Sequence, residues 1–287
     1  MKKLLFLLAI LSLPLLFQFD AYQILKLKTF DAFVLDGVPS NYFVVLSITE
    51  EDVDREGGYP LPRSRLAEIQ NQLIEKGAIG VGWVIGFPHP DRLGGDKDFA
   101  YSMNFSRTVG TVILGDGTGG YTAKGTTQNI PVLKNSQWTE QGIASAPVDV
   151  DNLVRRMPLL YRTPDGWLAA FGTQVLKSLV GADTYVIKTN KNGIEEIRVK
   201  GLPPVKVDSL GRKWISWIVP RETSLQKMDV EGRFVFVGVT AAGVMPQLAT
   251  PVGLLEPHYI QAALAESILQ ENSPYMPDYA LAVEVLA

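Results

Sequence analysis

The chain has 287 residues, 46% hydrophobic and 20% charged, with a net charge of −3. That is enough to bury one large α/β core or two small ones, and it lacks the basic excess that marks nucleic-acid binding. With no cysteine and two histidines, disulfides and thiolate metal sites are excluded, and little room is left for histidine-rich metal centres or His-dependent catalysis.

Lys2 and Lys3 precede an apolar run over residues 4–19, interrupted by Ser12, Pro14 and Gln18. Such a pattern is a cleaved signal, an uncleaved anchor or a buried core helix. The run is a little shorter than the roughly 20 residues that span a bilayer. Its exit, Leu16-Phe-Gln-Phe-Asp-Ala-Tyr22, carries no small-x-small cleavage pattern. The uncleaved anchor is therefore favoured, with the amino end in the cytoplasm and everything after Phe19 exported.

Residues 42–48 are apolar and β-branched and predict a buried strand, followed by an acidic turn over 50–54. Leu66, Ile69, Leu73 and Ile74 have helical spacing that ends at Gly77, and residues 79–85 predict a second buried strand. Strand, helix and strand at this spacing imply a βαβ crossover and a parallel sheet. Residues 87–128 are rich in Gly, Pro, Asp and Thr and predict a loop with one strand at 111–114.

The segment Pro147-Val-Asp-Val-Asp-Asn-Leu-Val-Arg-Arg-Met-Pro-Leu-Leu160 reads as a turn feeding a strand. Strand alternation points Arg155 and Arg156 to opposite faces, and one of them is expected to pair with a carboxylate such as Glu50 or Glu51. Leu168, Phe171, Val175, Leu176, Leu179 and Val180 mark a helix face capped by Gly181. Hairpins are expected between strands 185–188 and 194–199, and between 205–207 and 213–218. Residues 234–239 form another buried strand, and a helix starting near Pro257 carries Ile260, Leu264 and Ile268 on one face.

The Asp151, Arg155, Arg156 and Pro158 block resembles the acidic-turn, Arg-Arg, Pro-Leu-Leu signature of the CHASE sensor domains of the second type (cyclase/histidine-kinase-associated sensory extracellular). Further segments resemble the family in the same order: Gly58-Tyr-Pro-Leu-Pro-Arg63, Gly77-Ala-Ile-Gly-Val-Gly-Trp83, and Gly232-Arg-Phe-Val-Phe-Val-Gly-Val-Thr-Ala-Ala-Gly243 with Thr250 and Pro251. The resemblance covers residues 20–272. It departs from the family at Thr49, where an aspartate is usual, at Leu61 for a tryptophan, at Gln261 for a histidine, and at Pro246 or Gln247 for an acid.

Chemical motifs are weak. Gly115-Asp-Gly-Thr-Gly-Gly120 fits a dinucleotide fingerprint, but the β-branched residues after it deny the helix a pyrophosphate needs. Asp52-x-Asp54-x-Glu56-Gly57 begins like a calcium loop, yet its twelfth position is Arg63. Asp149 and Asp151 with Asn152 read as a solvated turn. His258 reads as a capping or packing residue, and His89 sits in a Pro-flanked loop. No catalytic residue, metal or cofactor is expected.

The expected fold is α/β: one mixed-sheet domain with a βαβ start, an inserted antiparallel meander and a strand-helix finish, after an N-terminal anchor. The expected division is an anchor at 1–19, an extracytoplasmic sensor domain at 20–273, and the start of a second membrane segment at 274–287. The resemblance implies the input domain of a bacterial inner-membrane receptor, periplasmic in place, with a cytoplasmic adenylate or guanylate cyclase as output. The alternatives are a histidine kinase, a diguanylate cyclase or a Ser/Thr kinase, or else a secreted α/β enzyme or binding protein. Its partners would be the membrane, through both end segments, and a small-molecule or envelope stimulus; a homodimer fits too, and nucleic acid does not. Ligands of parallel sheets bind beyond the strands' carboxyl ends, which nominates Glu50, Glu51, Arg63, Thr240 and Gln247, with Arg63 bridging the acids.

Overall fold

The computed structural model describes residues 19–32, 37–115, 121–134, 139–271, 274–275 and 279. Seven strands form the main sheet: β1 (Phe43–Ile48), β2 (Gly80–Trp83), β3 (Arg107–Leu114), β4 (Thr126–Thr127), β5 (Thr139–Ile143), β13 (Arg221–Thr223) and β14 (Phe234–Val239). Their order is β13-β1-β14-β2-β3-β4, with β5 also on β3, and every pairing is parallel except β3 with β4. The strands 43–48 and 80–83 are parallel members of one sheet, as the βαβ pattern requires, but β14 lies between them.

Helices cover both faces. On one side, α3 (Arg63–Glu75) and α4 (Asp96–Ser102) bury Leu66, Ile69, Leu73 and Phe99 against Val44, Leu46, Val81, Trp83 and Val237. On the other, α6 (Phe171–Val180) and α7 (Pro257–Gln270) bury Phe171, Val175, Ile260 and Leu264 against Phe43, Val45, Phe234 and Phe236. Alternate residues of one strand thus feed two cores, which is why these strands are apolar on both faces. In β2 the second face carries Gly80 and Gly82. A Cβ there would stand 2.6 Å from Phe234 and 2.8 Å from Phe171, so the aromatic rings occupy the space that side chains would fill.

The inserted meander is present as β9 (Tyr185–Asn190), β10 (Gly193–Val199) and β11 (Val205–Lys206), all antiparallel. Two-stranded ribbons complete the fold: β6 (Arg156–Pro158) with β12 (Arg212–Trp214), β7 (Leu160–Thr163) with β8 (Gly166–Ala169), and β15 (Leu248–Thr250) with β16 (Gly253–Leu255).

Several expectations need correction. The second hairpin does not form: Asp208 does close a tight turn by accepting from the Leu210 and Arg212 amides, but beyond it 205–206 pairs with β10 and 212–214 pairs with β6. The acidic turn is a short helix, α2 (Glu50–Arg55). Leu168 belongs to β8, so the next helix starts at Phe171. The expected loop over 87–128 contains α4 and a strand that starts at Arg107. A four-residue helix, α5 (Pro131–Lys134), follows it.

The apolar run at 4–19 lies outside the described residues apart from Phe19, as do 116–120 of the glycine loop and all of 274–287 except 274, 275 and 279. The described chain begins with α1 (Asp20–Asp31), which has no buried residue. No helix among the described residues is long and apolar enough to cross a membrane.

Candidate functional site

At the carboxyl end of β1, Thr49 is the N-cap of α2: its hydroxyl accepts from the Asp52 amide, and Asp52 accepts from the Thr49 amide at 3.0 Å. Thr and Asp are both effective caps, so Thr49 performs the role open to the aspartate usual there. Burial pushes the Asp52 carboxyl up, but hydrogen bonds from Thr49, then Gln226, and the charge of Arg55 outweigh it and hold it below its ordinary value. Glu50 accepts from the Ala242 amide at 2.7 Å and so ties the β1 exit to the β14 exit, where the Thr240 amide donates to the Ile48 carbonyl. Glu51 is exposed and pairs with Arg55, while Gln247 donates to Glu256.

Arg63 does not bridge Glu50 and Glu51. It sits at the carboxyl end of β2, its guanidinium 4.2 Å over the Phe87 ring and its Nε 3.6 Å from Asp96 Oδ1. Its amide donates to Asp91 at 2.8 Å, so Asp91 caps α3 from a loop 28 residues later. The chain turns at Pro62 and enters α3 beside this loop, which is too far from Glu50 in sequence for periodicity to reveal it. Burial lowers the Arg63 pKa, opposed by the charges of Asp96, Asp91 and Tyr59. Arg63 Nε and Asp96 Oδ1 are both buried without a hydrogen bond. Asp96 also lines an open hollow of about 490 Å³, walled by Pro90, Gly94, Lys97, Ile130, Pro131 and Val132. The five nominated residues are therefore not one site: Glu50 and Thr240 meet at the β1–β14 exit, Glu51 pairs with Arg55, Gln247 with Glu256, and Arg63 stands beside the hollow at the β2 exit.

A second polar cluster was not foreseen. Ser47 Oγ lies 3.1 Å from His258 Nε2 and 2.9 Å from the Tyr259 hydroxyl, and Tyr259 donates to Glu222. Burial, then the Glu222 hydrogen bond, raises the Tyr259 phenol above its ordinary value. The pair has the look of a nucleophile and base, but His258 is fully buried, Ser47 is 3% exposed, and Nδ1 of His258 has no hydrogen-bond partner. Among the described residues no third group hydrogen-bonds the ring at Nδ1, as a nucleophile–base pair would need. His258 is a packing residue: a Cβ on Gly238 would lie 2.2 Å from its ring.

The Arg-Arg block is an ion network. The Arg155 side chain is fully buried and forms paired hydrogen bonds to Asp151 (2.7 and 2.8 Å) and to Asp31 at the end of α1 (2.8 and 2.9 Å). Arg156 takes Asp149 and Asp208 and stacks on Trp214. Neither arginine pairs with Glu50 or Glu51, because partners are supplied locally by the turn before them and, for Arg155, across 124 residues by Asp31. Arg155 precedes the strand, which starts at Arg156, and both arginines approach Asp149, on its two different oxygens. The hydrogen bonds of Arg155 hold the Asp151 carboxyl below its ordinary value against burial. Asp149 and Asp151 are thus committed to arginines, and no group of acids or histidines among the described residues could hold a metal. Pro158 ends β6 in its pairing with Arg212, and the Thr250 hydroxyl closes the 250–253 turn on the Gly253 carbonyl, with Pro251 at its corner. Asp31, Asp208 and Trp214 escaped sequence reasoning; the only available signal was that a buried guanidinium demands carboxylates.

No curated protein and no solved structure matches the chain. The CHASE2 domain family model matches residues 4–287. This protein therefore belongs to the CHASE2 domain family, the extracellular sensory domains of signalling receptors.

Proposed function

We propose that this domain is the periplasmic input module of a bacterial inner-membrane receptor, anchored at 1–19, folded over 20–273 and re-entering the membrane from 274, with a nucleotide cyclase as its cytoplasmic output. One observation carries this reading. The segment that enters β1 is stitched to the last turns of α7: the Ser40 amide and hydroxyl donate to buried Glu266 at 3.0 and 2.9 Å, and Gln270 donates to the Val38 carbonyl at 3.0 Å. The segment that enters β1 and the end of the last helix lie side by side, a placement that suits a domain held between two membrane segments. The positive residues before the apolar run support an amino end inside the cell. The stimulus site that fits best is the hollow beside Arg63, where an apolar wall meets Lys97 and Asp96.

A reporter active only in the periplasm, fused after Gly201 in the exposed turn that follows β10, tests the topology. Periplasmic activity and a membrane-bound protein with its original amino terminus are expected. Activity of a cytoplasmic reporter at that position overturns the receptor reading, and a cleaved amino terminus favours a secreted protein instead.

A further inference from the structure

The four central strands of the main sheet begin in one row, with Phe43, Phe234, Gly80 and Arg107 side by side. Because these strands are parallel, the residues just before them gather at one edge of the domain. Tyr42 and Ile79 immediately precede β1 and β2, and Phe105 lies two residues before β3, its ring 5.0 Å from that of Tyr101. Tyr42, Ile79, Phe105 and Tyr101 are 59, 39, 57 and 66% exposed, in that order. Single exposed apolar residues are ordinary on a protein surface, but these are not scattered. Among the described residues from 37 to 271, five tyrosine, phenylalanine or tryptophan residues are exposed, and three of them stand at this edge.

The same edge receives the segment that enters β1 and the end of the last helix. Ser40 and Val38, just before β1, are tied to Glu266 and Gln270 in the last turns of α7. Under the receptor reading, on which this inference rests, these are the places that lead to the apolar run at 4–19 and to the segment from 274, so this edge faces the bilayer. Arg63 and the hollow lie at the opposite end of the sheet, at the β2 exit. The exposed charges at the strand starts cancel, Lys76 and Arg107 against Glu75 and Glu231, and Arg221 pairs with Asp229. Attraction to anionic lipid is therefore not what would hold this edge. The rings would, because a tyrosine keeps its hydroxyl wet while its apolar body leaves water, which suits the headgroup level of a membrane.

We infer that this edge of the sheet rests on the lipid headgroup layer, with Tyr42, Ile79, Tyr101 and Phe105 as its interfacial anchors. The occupant of the apolar face is thus the surface of the membrane that carries the chain, and uncharged lipid suffices for it.

The chain has no cysteine, so Lys76→Cys at this edge and Leu93→Cys in the loop beside Arg63, both exposed, can each carry a fluorescent label. The full chain is placed in nanodiscs of phosphatidylcholine, part of which bears a nitroxide near the headgroup. The nitroxide should quench the label at 76 strongly and the label at 93 little, and this comparison does not depend on how any further variant folds. Tyr101→Ser with Phe105→Ser should lower the seated-to-lifted ratio at 76 at least about 10-fold, the scale of two half-exposed rings withdrawn from an apolar layer, with the melting transition kept. Tyr101→Trp with Phe105→Trp, which keeps interfacial rings, should retain the quenching. Equal quenching at 76 and 93, or quenching at 76 that the folded serine pair leaves unchanged, overturns the anchor. So does a label at 76 that lipid does not quench and that cross-links to its counterpart, since the edge would then join two copies of this chain. A failed topology reporter with quenching at 76 intact would remove the receptor reading and leave the membrane contact; a periplasmic reporter without that quenching would remove the contact alone.

Discussion

Acid should weaken this protein as soon as pH falls below 7, because His258 is buried neutral. Burial drops its pKa from the ordinary 6.5 to about 3. The sign follows from linkage: the unfolded chain takes up a proton near pH 6.5 and the folded chain does not, so the stability contributed by neutral His258 is complete above pH 6.5 and is lost as pH falls towards 3. At about 1.36 kcal/mol per pH unit, the loss between pH 7 and pH 5 is about 2 kcal/mol. The groups around the ring are Ser47, Tyr259 and, beyond them, Glu222. The carboxylates held low (Asp52, Asp91 and Asp151) lose their contribution only as pH falls below their ordinary 3.8, outside this window. The other histidine, His89, is exposed. Urea unfolding followed by tryptophan fluorescence at pH 7, 6 and 5 should show the decline, and His258→Gln should flatten it. The ring proton shifts of His258 in the folded protein should not move between pH 7 and pH 5. A ring that titrates near 6.5, or an unchanged acid slope in the variant, would refute the reasoning.

Two further outcomes test the interior and the nominated site. Trp83 Nε1 donates to the buried Gln70 carbonyl at 2.7 Å, so Gln70→Leu should cost about 1–3 kcal/mol in denaturant titrations by stranding that N–H; Trp83→Phe in the same chain should cost less than the sum of the two singles. Arg63→Ala should lower the melting temperature, since it removes the cation over Phe87 and leaves Asp96 unpaired, and adding Asp96→Asn should cost little more; additive losses would show that the two side chains do not act as a pair.

Periodicity and capping signals are local, and they sufficed for what is local. The apolar runs at 42–48, 79–85 and 234–239 declared buried strands, observed at 43–48, 80–83 and 234–239, because strands covered on both faces read as near-continuous apolar runs. The spacing of Leu66, Ile69 and Leu73 declared the face of α3, and the Asn190 to Gly193 turn declared the β9–β10 hairpin. The Arg-Arg block with its acidic turn carried the family resemblance that the family model bears out. What the sequence left undecided is partnership across distance. That β14 inserts between β1 and β2, that β12 leaves β11 for β6, and that Arg63 answers to Asp91 and Asp96 are choices among chain segments with equal local credentials. The same holds for Asp31, which reads as an ordinary last-turn acid until the fold brings it 2.8 Å from an arginine 124 residues away. A strand advertises its own burial, but a charge advertises only that it needs an opposite, and which opposite it finds is decided by how the layers close around it.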